Sequence, residues 1–188
     1  ALDHDFQPDA LVTPVGILLP EHQDLRLFMS TSKVTSDCIA DCIDGWWTET
    51  RPKFPDIKKL VLLQDNGPEN SGRRTQFLKR IVDFAHHHQI GVRLAYYPPY
   101  HSKYNPIERC WGALEKHWNG SLLDTVNTTV EFARTMKWNG RNPIVTLITK
   151  TYETGVKLSK NAMKEIEKQL VRLPGLEPWF IDIAAAPT

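Results

Sequence analysis

Residues 58 to 74, KKLVLLQDNGPENSGRR, set an apolar run of Leu60, Val61, Leu62 and Leu63 against a turn that no second strand follows. Such a run reads as a short strand buried on both faces. Asn66-Gly67 is a strong hairpin signal, but a hairpin needs its second strand at once. GPENSGRRTQFLKR supplies a loop and then a helix. A strand leading through a loop into a helix is the repeating unit of α/β folds, whose ligands bind at the carboxyl ends of strands. Asp65 stands at such an end.

The rest of the chain extends this alternation. Two apolar runs, 15–19 and 25–29, flank PEHQD and predict an antiparallel hairpin. Thr35 or Ser36 can cap a helix with Ile39, Ile43, Trp46 and Trp47 at helical spacing, closed by Pro52 and Pro55. After the strand at 59–64, Phe77, Leu78, Ile81, Val82 and Ala85 predict a helix over about 73–88. A strand over 92–96 stops at Pro98-Pro99, and Asn105-Pro106 opens a helix with Asn as cap and Pro at its first position. Residues 124–138 and 159–171 read as helices, and 141–158 has no clear period. The order β-β-α-β-α-β-α predicts an α/β fold in one domain, 1–140, with 141–188 as its helical C-terminal extension.

Hydrophobic content of 41% and charged content of 24% are those of a soluble globular protein, and no apolar stretch is long enough for a membrane span. The polar N-terminus does not read as a signal peptide. Without an initiator Met it reads as an internal piece of a longer protein. Cys38, Cys42 and Cys110 form no CxxC pair, so they read as buried hydrophobes in a reducing, cytoplasmic protein. The net charge of +1 hides an asymmetry. Residues 1–50 carry two basic against nine acidic side chains, whereas residues 51–110 carry eleven against five. Positive charge therefore gathers around Asp65, which suits a polyanionic partner.

A second acid, Glu108, lies in the first turn of the helix opened by Asn105-Pro106. Favourable interaction with the helix dipole explains it as well as chemistry does. Still, Asp65 and Glu108 on neighbouring elements could converge on a hard divalent cation. His86-His87-His88 does not make a metal site, because adjacent helical residues point apart.

The segments L-L-Q-D-N-G and P-P-Y-H-S-K-Y-N-P-I-E-R-C-W, residues 62–67 and 98–111, resemble the DDE transposases of bacterial insertion sequences. The pattern is similar in outline to mariner-like transposases and retroviral integrases. The resemblance is densest over 58–118. It implies an RNase H-like mixed sheet flanked by helices, with Asp65 as the second and Glu108 as the third catalytic, metal-binding acid. It implies magnesium- or manganese-dependent cleavage and transfer of DNA strands during transposition. Lys103, Arg109, Arg73 and Arg74 would then contact phosphates, and Tyr97, Tyr100 and Tyr104 would stack on unpaired bases, with ordinary surface packing as the alternative for each. The implied partners are transposon ends, target DNA and further copies of the chain, with no membrane, in the bacterial cytoplasm at the nucleoid.

The family's first acid lies on a central first strand that this sequence lacks, since neither run at 15–19 or 25–29 contains an acid. The expectation is a partial core in which the strands at 13–19 and 59–64 have open edges. A two-metal site would form only with the upstream Asp present, and the isolated chain would be inactive. The competing readings are an inactive RNase H-like DNA-binding or assembly module and an RNase H-like nuclease.

Overall fold

The computed structural model describes residues 10–98, 101 and 104–186. In chain order its elements are β1 (Thr13–Leu19), β2 (Asp24–Ser30), α1 (Ser36–Thr50), β3 (Lys59–Gln64), α2 (Thr75–His87), β4 (Gly91–Tyr96), α3 (Pro106–Trp118), α4 (Val126–Thr135), β5 (Ile144–Ile148), α5 (Lys160–Glu167), β6 (Leu170–Arg172) and β7 (Phe180–Ile183). They gather into two compact units, residues 1–33 with 109–152 and residues 34–108 with 153–188. Among the described residues no helix is long and apolar enough to cross a membrane.

In the first unit β1 and β2 form the expected antiparallel hairpin, from Thr13 opposite Ser30 to Leu19 opposite Asp24. Gln23 turns the chain at φ 52° and donates its side-chain amide to the Pro20 carbonyl at 2.8 Å. β5 adds parallel to β2, giving the order β1-β2-β5. Leu25, Leu27 and Met29 of β2 are buried, as are Leu114 of α3 and Val130 and Ala133 of α4. The His117 ring stacks on Phe132 at 4.6 Å and joins α3 to α4.

The second unit is a four-stranded sheet, order β3-β4-β7-β6, backed by α2, with α1 packed on α2. One face carries Leu60, Val92 and Ile183 across one row and Leu62, Leu94 and Ile181 across the next. Phe77, Leu78, Ile81, Val82 and Ala85 of α2 are buried, as their spacing predicts. Thr35 caps α1 by accepting the Cys38 N–H at 3.3 Å. Cys38, Cys42 and Cys110 are all buried and in no disulfide. The α1–α2 seam is also polar. Arg80 reaches Asp37 at 2.7 Å and Asp41 at 2.6 Å, and His88 Nε2 lies 2.7 Å from Asp44. These pairs advance along both helices in the same direction, so α1 and α2 run parallel.

Three features differ from the sequence reading. The C-terminal extension is not helical throughout: α5 is flanked by β5, β6 and β7, and β7 pairs antiparallel to both β4 and β6. These strands are only three to five residues long, too short for a two-residue period to stand out. In place of one mixed sheet the described residues form two, β1-β2-β5 and β3-β4-β7-β6; β1 and β3 each keep an edge that no described strand covers, as the sequence reading expects. Finally, β3 is buried on one face only. Val61 is 55% and Leu63 52% exposed, whereas Leu60 is 9%. On that open face Val61 stands opposite Arg93, and Arg93 pairs with Asp182 of β7 at 2.5 Å.

Candidate active site

Asp65 and Glu108 both belong to the second unit. β3 and β4 are parallel, so both strands end on the same side of the sheet, and Tyr97 N–H still donates to the Gln64 carbonyl at 2.9 Å. Asp65 is the next residue. Asn66 then turns back at φ 62°, a left-handed conformation that Asn tolerates. The turn folds the chain around the Asp65 carboxylate. Its Oδ1 accepts the Gly67 N–H at 3.3 Å and the Asn70 side-chain amide at 3.1 Å. An ionised carboxylate only accepts hydrogen bonds, so the Asn70 NH2 must face it. The Asn70 Oδ1 is left buried without a partner among the described residues.

The loop that carries this turn is anchored from three directions. Tyr96 of β4 donates its hydroxyl to the Asn70 backbone carbonyl at 2.9 Å, and burial pushes that hydroxyl above its ordinary pKa. Ser36, at the start of α1, donates to the Glu69 carbonyl at 2.7 Å. Arg172 of β6 donates to the Gly72 carbonyl at 3.2 Å and is itself held by Glu167 at 2.7 Å. Gly67 is close-packed. A Cβ there would lie 3.0 Å from Asn70 Oδ1 and 3.5 Å from Asp65 Oδ1.

Glu108 sits in the first turn of α3, where the exposed N–H groups of a helix favour an anion. Asn105, buried, precedes the helix, and its carbonyl accepts the Glu108 N–H at 3.0 Å. The Glu108 side chain is half-buried and has no hydrogen-bond or ion-pair partner among the described residues. Asp65 Oδ2 likewise has none. Free carboxylate oxygens are the ligands that magnesium and manganese take, and Asp65 Oδ2 and the Glu108 carboxylate are each of that kind. Among the described residues no group of three or more His, Cys, Asp or Glu is placed to hold a metal.

The expected phosphate and base contacts divide. Arg73 is exposed, and its side chain has no ion-pair or hydrogen-bond partner among the described residues. Arg74 is used inside the fold: it pairs with Glu69 at 3.1 Å and donates to Ser36 at 3.3 Å, with its side chain only 18% exposed. Arg109 is exposed on α3, and Tyr104 is 63% exposed with its ring stacked against His101. Tyr97 is half-buried. Lys103 and Tyr100 lie outside the described residues.

The family described as the Rhodopirellula transposase DDE domain matches residues 1–185. The chain belongs to that family. Membership implies a transposase-type protein of the polynucleotidyl-transferase class, and transposases bind DNA ends. No curated protein and no solved structure matches the chain. What sequence reasoning missed in this member is the support around Asp65: Asn70, Gly67, Tyr96 and Arg172. Pro68-Glu69-Asn70 carries turn chemistry in the sequence, but nothing there says that Asn70 turns its amide back to Asp65.

Proposed function

We propose that the chain is part of the RNase H-like catalytic core of an insertion-sequence transposase, and that Asp65 and Glu108 are two of its metal-binding acids. The observation that carries this reading is Asp65 itself, presented at the carboxyl end of a parallel strand pair with one oxygen held and one free. Bound divalent cations would activate a water or DNA 3′-hydroxyl and stabilise the leaving oxygen of an in-line displacement at phosphorus. The chain's own part is position and charge. Asn70 and the Gly67 N–H fix the orientation of the Asp65 carboxylate, and the first turn of α3 presents Glu108. Arg73 and Arg109 are exposed cations suited to phosphate, and Tyr104 offers an exposed ring. Lys103 completes the phosphate set in this reading. A third acid would arrive on a strand paired to the open edge of β3. The working assembly is an oligomer on transposon ends and target DNA in the bacterial cytoplasm.

Among the described residues no three acids are grouped to hold a metal, and this supports a second reading for the 188-residue chain, an inactive module that binds DNA or assembles with other copies. Strand-transfer assays on pre-cleaved element ends, with magnesium or manganese, separate the two. In the transposase, Asp65→Asn and Glu108→Gln should each abolish joining and leave DNA binding intact. Joining at near-normal rates in either variant would refute the catalytic assignment.

A further inference from the structure

Beside the Asp65 loop, and wholly within the second unit, lies a cleft of about 290 Å³ lined by Asn66, Ser71, Gly72, Arg73, Pro178 and Trp179. We propose that this cleft is a subsite for one unpaired nucleotide of a DNA strand, with the Trp179 indole as its stacking face and Arg73 as its phosphate contact. The proposal rests on the reading of the partner as DNA and not on the assignment of catalytic acids.

The cleft is built rather than incidental. One lip is the loop after Asp65, and the other is the turn from Leu173 to Trp179. Arg172 joins them, donating to the Gly72 carbonyl on one side at 3.2 Å and to the Glu177 carbonyl on the other at 3.4 Å. The turn is closed by its own bonds, Leu176 N–H to Leu173 O at 2.9 Å and Trp179 N–H to Leu176 O at 2.8 Å. Tyr96 N–H donates to the Trp179 carbonyl at 2.9 Å and fixes the tryptophan backbone to the end of β4. The floor is close-packed at Gly72, where a Cβ would meet Ile181 at 3.1 Å and Tyr96 at 3.2 Å.

Its chemistry selects the occupant. An indole in a half-open cleft offers a π-face that any base can stack on, whatever its sequence. Arg73 has no partner within the described fold, whereas Arg74 beside it is engaged by Glu69 and Ser36. A guanidinium without a carboxylate, next to an aromatic ring, suits a phosphate joined to a base. Asn66 and Ser71 add a carboxamide and a hydroxyl for base or sugar edges. The volume lies just under the usual range of ligand clefts, about 300–1,000 Å³. That size suits a single nucleotide better than a duplex. Since Asn66 follows Asp65 directly, a nucleotide held here would lie beside the Asp65 loop.

The test is fluorescence anisotropy of the 188-residue chain with a labelled single strand of about 15 nucleotides, and with the matching duplex, in EDTA. Trp179→Ala should weaken single-strand binding about tenfold and leave duplex binding unchanged, while Trp179→Phe should keep most of the affinity. Arg73→Gln should lower the slope of log K against log salt by about one phosphate contact. The proposal is overturned if the wild-type chain does not bind the single strand, if Trp179→Ala binds it as wild type does, or if single strand and duplex lose equally. Should Trp179→Ala fail to fold, Trp179→Leu against Trp179→Phe decides, and equal affinities overturn the proposal. Because no divalent cation is present, the result is independent of strand transfer: loss of the catalytic reading leaves the Trp179 dependence standing, and loss of that dependence leaves the catalytic reading standing.

Discussion

The Asn70 side-chain amide donates to Asp65 Oδ1 at 3.1 Å, while the Asn70 backbone carbonyl accepts the Tyr96 hydroxyl at 2.9 Å. One residue therefore ties the candidate carboxylate to the buried end of β4. Asn70→Ala removes the first bond and keeps the second. In the transposase it should lower metal-dependent strand cleavage about 10- to 100-fold and raise the manganese concentration needed for half-maximal rate. A metal titration of the cleavage rate, beside a thermal melt, checks this. An unchanged metal requirement with a lowered melting point would make Asn70 only a loop anchor.

Gly67→Ala tests the same support by crowding. The added Cβ would stand 3.0 Å from Asn70 Oδ1 and 3.5 and 3.7 Å from the Asp65 oxygens. All three neighbours belong to the loop, so the loop must give way while the sheet behind it is untouched. The expected outcome is a fall in cleavage of at least about tenfold with a change in unfolding free energy under about 1 kcal/mol. Equal losses in both would show that the loop and the sheet unfold together.

Much of this arrangement is legible in the residues alone. The strand ending at Gln64, the cap at Thr35, the apolar stripe of α2 and the entry to α3 at Asn105-Pro106 follow from local spacing and turn chemistry. Position in the sheet is different. Leu60-Val61-Leu62-Leu63 reads as doubly buried because the side chains are uniformly apolar, yet only its neighbours decide what covers Val61 and Leu63. β7 is held by pairing with distant β4, and β6 by pairing with β7; both carry little local signal. Arg73 and Arg74 are the same residue type in adjacent positions, and only the fold turns Arg74 inward to Glu69 and leaves Arg73 outside.

Arg80 is the clasp of the α1–α2 seam, reaching Asp37 at 2.7 Å and Asp41 at 2.6 Å with its side chain 26% exposed. Two charge-assisted bonds to separate acids one helical turn apart need the forked guanidinium. Arg80→Ala should lower the unfolding free energy by about 1–2 kcal/mol, and Arg80→Lys should recover only part of it. Urea unfolding measures both. A full recovery by Lys would mean that charge alone holds the seam.

The Arg93 guanidinium, with Lys59 beside it, holds the Asp182 carboxyl below its ordinary pKa. A group whose pKa is depressed by folding adds stability above its unfolded pKa, about 3.9, and loses it as pH falls through the lower folded value. Asp182→Asn should therefore shift the urea midpoint slightly downward at pH 7, and the shift should vanish as the pH falls below that range. All three partners are partly exposed, so salt should shrink the difference too. A midpoint difference that grows toward low pH would contradict the pairing.

The last prediction concerns the open edge of β3. Gly91 N–H donates to the Lys58 carbonyl and Tyr97 N–H to the Gln64 carbonyl, which brackets the parallel ladder between β3 and β4. Alternate residues of a strand face opposite neighbours, so the even-numbered residues, Leu60, Leu62 and Gln64, bond to β4. The N–H groups of Val61 and Leu63 then point away from β4, to an edge that no described strand covers. In the 188-residue chain, hydrogen exchange followed by NMR should find Val61 and Leu63 amides fast and Leu60 and Leu62 amides slow. Unpaired edges of this kind invite pairing with another strand. In a longer version of the protein that supplies the strand with the third acid, Val61 and Leu63 should become as protected as Leu62. Slow exchange at Val61 in the 188-residue chain at low concentration would mean that the edge is already covered, and the third acid would have to reach Asp65 by another route.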